Sequence, residues 1–421
     1  MKSALNFDIA IVGGGLAGGL AGLALSDAGF SCVIIDAADH KTMRNAAFDG
    51  RTTAISYASA RVFKRLGLWT ALAPHAEPIR DILVTDGKAK ARFSEGSVSQ
   101  SVLHFDSSEL NDETPLGWII ENRVLRNHLF DAITENENVS LLAPARRTAS
   151  ATHGNSASIT LEDGRMIDAK LIVAADGRFS ALRAQANIKI NQWRYKQTGI
   201  VATIAHERSH EGVAQEFFLP AGPFAILPMT DDASGTHPHR SSLVWTEHAD
   251  QADAFLALDD AHFTAEIANR VGPYLGDIAL AGPRRSYPLG FHLAHSFVAP
   301  RLTLIGDAAR AIHPIAGQGY NLGVKDIAAL VDTLRDARGV GLDIGSLTIL
   351  ENYQQWRRFD SAALALSTDA LNRLFSNDIA PLRLIRDLGM GLTGRIAPLR
   401  KFFMRQAGAD LGELPSLMAR D

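Results

Sequence analysis

Three separated stretches of this chain carry residue types spaced to hold a dinucleotide. The first is Gly13-Gly14-Gly15-Leu16-Ala17-Gly18. Gly13 permits a tight turn, Gly15 lets backbone approach a pyrophosphate, and Gly18 lets the following helix pack on the sheet. Leu16 and Ala17 open that helix, whose N-terminal N–H groups and partial positive charge suit an anion. Asp36 follows 23 residues after Gly13, at the end of the next strand, where a carboxylate can accept ribose hydroxyls. A glycine-rich helix-packing motif is the alternative for the first stretch alone.

The second stretch is Ala174-Ala175-Asp176-Gly177, and the third runs from Leu304 through Gly306, Asp307, Ala308 and Ala309 to His313-Pro314-Ile315-Ala316-Gly317-Gln318-Gly319. Asp307 closes a strand and can bond a hydroxyl of a ribityl chain. Ala308 and Ala309 are expected to open a helix with side chains too small to block a cofactor. Pro314 and Gly317-Gln318-Gly319 leave backbone open beside a flat ring. N–H groups in front of a helix starting near Asn321 can stabilise negative charge on a reduced isoalloxazine. Together the three stretches point to FAD.

The elements that must position these residues follow from the pattern. Phe7 to Val12 reads as a buried parallel strand, Leu16 to Asp27 as a helix and Ser31 to Ile35 as the second strand of a βαβ unit. Arg123 to Thr134 reads as a helix, and Leu171 to Ala175 as another strand. Between about 195 and 290 the chain changes to short strands (Gly199 to Ile204, Glu216 to Leu219, Ala225 to Leu227, Ser242 to Thr246), with a polar loop at Asp231 to Arg240. The fold class expected is α/β. A Rossmann-like FAD-binding domain takes 1–75, 119–190 and 291–340. A mostly antiparallel substrate sheet takes 76–118 and 191–290, and a helical C-terminal region takes 341–421.

Bulk properties exclude several classes. The 421 residues are 46% hydrophobic and 21% charged, with net charge −4, so no basic excess exists for nucleic acid. Cys32 is the single cysteine; it sits in an apolar strand and rules out an internal disulfide framework, which fits a reducing cytoplasm. No metal-ligand spacing is present. Ile9 to Ser26 carries no charge over 18 positions, but six are glycines, which suits a phosphate loop better than a membrane span.

The three motifs, in order and spacing, resemble those of the single-component flavoprotein aromatic monooxygenases typified by para-hydroxybenzoate hydroxylase, whose FAD domain is of the GR2 type. Asp49-Gly50-Arg51-Thr52-Thr53-Ala54-Ile55, Glu121-Asn122-Arg123-Val124-Leu125-Arg126, Ile312 to Gly323 and Leu414-Pro415 resemble the ubiquinone-biosynthesis ring-hydroxylase subfamily in particular. The resemblance covers nearly the whole chain and is weakest at 76–118 and 231–285.

The resemblance implies roles. Gly13, Gly15, Gly18 and Asp36 hold the ADP half; Arg51 and Arg123 lie near pyrophosphate and flavin, unless they form surface ion pairs. Asp176 and Gly177 serve FAD and the nicotinamide cofactor. Gly306-Asp307 serves the ribityl chain, and Gly317, Gln318, Gly319 and Asn321 the isoalloxazine. Pro314 borders the oxygen pocket; His313 is a candidate catalytic group or a structural imidazole. NADH or NADPH would reduce FAD, and O2 activated at the flavin C4a position would hydroxylate a polyprenylated phenol or quinol. A small soluble phenol, a non-catalytic FAD-bound scaffold and a reductase of prenyl double bonds are the alternatives.

The tail from Arg383 to Arg405 alternates six Arg or Lys with Leu, Ile and Phe against one acid, Asp387. That pattern fits a helix lying on the anionic inner face of the cytoplasmic membrane, or one packed on its own core. Other quinone-biosynthesis proteins are candidate partners.

Overall fold

The computed structural model describes residues 5–86, 102–110, 114–232, 234, 237–314, 317–358, 396–410 and 412–420. Its first sheet runs in the order Val298–Ala299, Leu302–Leu304, Met166–Ala174, Leu5–Val12, Cys32–Ile35, Val139–Leu142. Every pairing from Leu302–Leu304 to Val139–Leu142 is parallel. These strands are covered on both faces, so Ile9, Ile11 and Cys32 to Ile34 are fully buried and the sequence shows no alternation. A hairpin of Arg147–His153 and Ser156–Leu161 extends antiparallel from Met166–Ala174.

The helix Leu16–Asp27 lies tight on this sheet because its inward residues are small. A Cβ on Gly22 would stand 2.6 Å from Ile34 Cδ1. The helix ends where Gly29 turns left-handed (φ +84°), and Arg338 closes it by donating to Gly29 O at 2.7 Å and to Ala28 O while its guanidinium covers Phe30. A cation at the carbonyl end also opposes the helix dipole.

The second sheet has nine strands, in the order Arg310–Ala311, Arg285–Ala294, Ile190–His206, His239–His248, Gly222–Met229, Val213–Leu219, Asp81–Asp86, Val102–Asp106, with Ile278–Leu280 also on Ile190–His206. Its strands outrun the short ones read from sequence, because backbone pairing continues past the apolar stretches whatever the side chains; Ile190–His206 alone pairs with three neighbours. The strand His239–His248 takes the last residues of the expected 231–240 loop. Its outer face buries Ile200, Phe217, Phe224, Ile226 and Trp245 under the helices Ala249–Leu256 and Asp260–Val271. Its inner face turns towards the first core, where Ala214 and Met229 are buried.

The segment 76–118 serves two sheets. Asp81–Asp86 and Val102–Asp106 join the nine-stranded one, while Glu77–Ile79 and Gly117–Glu121 pair with each other and, through Gly117–Glu121, with Thr52–Ser56. Two local expectations change. Ala308 and Ala309 do not open a helix: Gly306–Ala308 is a single 3-10 turn, and Arg310–Ala311 then adds an edge strand. The long helix is Gln318–Gly339, starting three residues before Asn321, because Gly317 (φ +62°) supplies the left-handed N-cap. Residues 347–358 are helical, as is Ala397–Ala407. The basic stretch 383–395 lies outside the described residues.

One buried carboxylate joins these parts. Asp326, fully buried on the long helix, accepts from Arg310 Nη1 (2.9 Å) and Nη2 (2.8 Å), Arg357 Nε (2.9 Å) and Gly306 N–H (3.0 Å). Arg357 is also fully buried. Removing one member of such a set strands the others without solvent. Asp326→Asn should therefore cost about 3–5 kcal/mol, read as a lower midpoint in thermal and urea unfolding.

Candidate flavin site

The three motif stretches converge at the carboxyl ends of the parallel strands, the usual crevice of open α/β sheets. Gly13 (φ +104°) and Gly18 are fixed by contact: a Cβ on Gly13 would stand 2.3 Å from Ala175 O, and one on Gly18 1.8 Å from Gly13 O. Gly15 differs, since a Cβ there meets nothing within 4 Å. It is the N-cap of Leu16–Asp27 and makes no side-chain cap, so the first N–H groups face an open cradle. Leu16 and Ala17 form the first turn: Leu16 O accepts from Tyr320 Oη at 3.4 Å, and Ala17 Cβ lies 3.5 Å from where a Cβ on Gly306 would be.

Asp36 accepts from Gly14 N–H and from Ala38 N–H (2.7 Å), which fixes its carboxylate over the loop. Each oxygen keeps a further lone pair for a hydroxyl. Asp176 Oδ2 accepts from Ala181 (2.9 Å) and Leu182 (3.2 Å) N–H, while its Oδ1 is buried without a partner. Gly177 (φ +79°) completes the turn. Asp307 makes no side-chain hydrogen bond to any described residue, and its carboxyl is exposed in the cradle. Surrounding protein pushes its pKa up, against the opposing pull of Arg310 and Arg178. A hydroxyl-rich chain would satisfy Asp307 and Asp176 Oδ1, so these residues fit FAD.

Arg183 ties the second motif to the third: it donates to Ala308 O at 2.7 Å and to Arg178 O at 2.9 Å. His292 Nε2 lies 3.0 Å from Asp307 O. Burial, reinforced by Arg183, pushes His292 down to about 4, so the neutral ring donates to that carbonyl.

The structure places the other expected residues differently. Asn321 uses its side chain as a clamp, donating to Ala54 O (3.0 Å) and accepting from Ser56 N–H (2.9 Å). Gln318 Nε2 donates to Ala407 O at 2.9 Å. Both amides therefore brace the turn, leaving Gly317 and the open, exposed Gly319 to present backbone. Arg51 pairs with Asp49 (2.6 Å) and Arg123 with Glu121 (2.6 Å), its guanidinium over Phe48. The Arg51–Asp49 pair is half-exposed and worth little, so an arriving phosphate could displace it, whereas Glu121 is buried and shared with Arg240.

Pro314 is exposed beside the turn. His313 is fully buried with its ring edge-on to Tyr195 at 5.2 Å, the setting expected of the structural-imidazole alternative. Sequence reasoning missed Arg183, His292, Arg310, Asp326 and Arg357. For Asp326 the available signal was the Lys325-Asp326 pair inside the otherwise apolar run Leu322 to Val331; Arg357, in the polar stretch Gln354 to Arg358, offered none.

Two outcomes test this geometry. Asp307→Ala should weaken FAD binding roughly ten- to hundredfold, measured as flavin released on gel filtration. His292 is protonated less readily in the folded than in the unfolded chain. Its contribution is therefore present above about pH 6.5 and lost as pH falls through about 4. His292→Gln should flatten part of that acid decline in a plot of Tm against pH; His206, also near 4, leaves the rest.

Comparison with known proteins agrees with this site. The family described as FAD binding domain matches residues 6–364. Ubiquinone hydroxylase UbiL of Rhodospirillum rubrum is 45% identical over 98% of this chain and 92% of its own length. The 3-demethoxyubiquinol 3-hydroxylase of Escherichia coli is 33% identical over 95% of this chain and 98% of its own. p-Nitrophenol 4-monooxygenase PnpA from Pseudomonas putida has the same fold, with TM-score 0.77 and 17% identity over 96% of this chain and 99% of that one. The dinucleotide cradle and these likenesses give one result: the chain belongs to the FAD-binding monooxygenase family, in the group that includes the ubiquinone-biosynthesis hydroxylases.

Proposed function

We propose that this chain hydroxylates the aromatic ring of a polyprenylated phenol or quinol during ubiquinone biosynthesis, using O2 and electrons from NADH or NADPH. The observation that carries this reading is the 45% identity to a ubiquinone hydroxylase over 98% of this chain, supported by the strand Thr52–Ser56, which touches both Gly317 through Ala54 and the nine-stranded sheet through Thr52 and Ser242. FAD, when bound, supplies the redox chemistry and activates oxygen. The residues supply the rest. Gly13, Gly15, Gly18 and Asp36 would hold the ADP half, and Asp176 and Asp307 would take hydroxyls. Backbone at Gly317 and Gly319 would lie beside the ring system, where helix N–H groups favour negative charge. The inner face of the nine-stranded sheet would close over the substrate and keep water out. The division into a cofactor half and a substrate sheet belongs to this proposal.

A polyprenyl substrate resides in lipid, which bears on the C-terminal helix. Ala397–Ala407 buries Met404 but exposes Phe402 (51%) and Phe403 (42%), beside Lys401 and Arg405. Arg400 is instead tied to Glu109 at 2.8 Å. No helix of the described residues is long and apolar enough to cross a membrane. The reading is therefore contact with the membrane surface through this helix.

The test is mass spectrometry of quinone intermediates in a strain lacking this chain. An intermediate one oxygen short should accumulate and disappear when the chain is restored. The reading fails if no such intermediate appears, or if purified holoprotein hydroxylates only soluble phenols. Restoration by an FAD-free Asp307→Ala variant would instead point to a scaffold.

A further inference from the structure

Glu216 is a carboxyl that the cofactor site does not use. It lies on Val213–Leu219 in the nine-stranded sheet. Register places Val84 on one side and Ala225 on the other, and the row continues through Val244 to Val201. All four neighbours are apolar and partly exposed, as is Glu216. The carboxyl makes no hydrogen bond or ion pair with any described residue. Apolar surroundings push it up to about 7, with burial as the only resolved cause.

Which way this row faces is fixed by two contacts. Phe217 and Phe224, one position away on their strands, are buried in the outer core under the helices, so Glu216 and Ala225 point inward. On the same inner face Ser242 Oγ accepts from Thr52 Oγ1 at 3.1 Å. The strand of Thr52 carries Ala54, which stands against Gly317 of the flavin turn. By strand geometry Glu216 is roughly 7 Å along and 10 Å across from Ser242. That in-sheet span is comparable with the length of a substituted aromatic ring.

We propose that the Glu216 carboxylate accepts the proton of the substrate's ring hydroxyl, in the apolar pocket between the inner sheet face and the Gly317–Gly319 turn. This rests on the hydroxylase reading above. The hydroxyl O–H bond breaks with its electron pair left on oxygen, and the proton passes to a Glu216 Oε. The resulting phenolate is richer in electrons at the ring carbons that take oxygen. The proton returns to that oxygen at the end of the cycle. A carboxyl raised by apolar surroundings suits such an exchange.

Other ionisable groups at this sheet can be separated from Glu216. Asp86 is registered beside Phe218, and Arg285 and Tyr287 lie on a strand at the far end of the face. From the opposing elements come Arg51 and Asp49, paired together, Glu121, held by Arg123 and Arg240, and Glu77, raised by burial and Asp231. None is among the causes of the Glu216 shift.

The test uses oxidised, FAD-loaded protein and 2-geranylphenol, with binding followed by the change in flavin absorbance from pH 5.5 to 8. Wild type should bind about tenfold or more tightly at pH 8 than at 5.5, because only ionised Glu216 accepts the hydroxyl. Glu216→Gln should lose this pH dependence while keeping its flavin spectrum, and Glu216→Asp should keep it in weakened form. In the deletion strain Glu216→Gln should lower hydroxylated product about tenfold or more. The proposal is overturned by absence of binding, by a flat wild-type profile, by an acid limb that survives in Glu216→Gln, or by undiminished product from that variant. Binding with the expected limb but no quinone restoration by wild type would leave Glu216 assigned and remove the biosynthetic reading.

Discussion

The structure depends on the buried Asp326 carboxylate. Two guanidinium groups and one backbone N–H satisfy it, and each comes from a different part of the chain: the edge strand, the helix at 347–358 and the Gly306 turn. A charge so far from water is tolerable only when its partners are complete. The set therefore fixes how the Gly306–Ala308 turn lies against the long helix. Tyr353 adds a bond to Leu304 O at 2.9 Å from the same helical segment. The turn that presents Asp307 is thus held from beneath, and Asp307 itself is left unspent.

Contact distance explains the glycines of the first motif better than flexibility does. Gly13 and Gly18 are in van der Waals contact with backbone, so the strand end, the Asp176 turn and the helix start form one compact corner. Gly15 is open, with nothing within 4 Å of a Cβ placed there. The cradle is preorganised: Asp36 is oriented by two N–H groups, and Arg183 and His292 hold the carbonyls of Ala308 and Asp307. Preorganised groups avoid an ordering cost when cofactor binds.

The nine-stranded sheet divides labour by face. Alternate residues of one strand enter two environments: Phe217 is buried under helices, while Glu216 on the other face is partly exposed. Period-two geometry thus lets one strand stabilise the domain with one face and present a carboxyl on the other. The opposite edge of the sheet reaches the cofactor half through Arg310–Ala311, so cradle and sheet are parts of one framework.

The sequence alone determined what local chemistry dictates. The βαβ unit was legible because a buried parallel strand, a glycine turn and a small-residue helix are contiguous; Leu16–Asp27 matches its expected bounds. The three motifs were legible because turn and phosphate-loop conformations select glycine and aspartate by type. Tertiary structure decided the rest. Whether Arg51 and Arg123 face phosphate or carboxylate, whether Asn321 and Gln318 brace or present, and whether His313 is open or sealed all depend on neighbours distant in sequence. Asp326 and Glu216 make the point most sharply. Each is one acid in a largely hydrophobic stretch, and only long-range packing gives one of them three partners and the other none among the described residues.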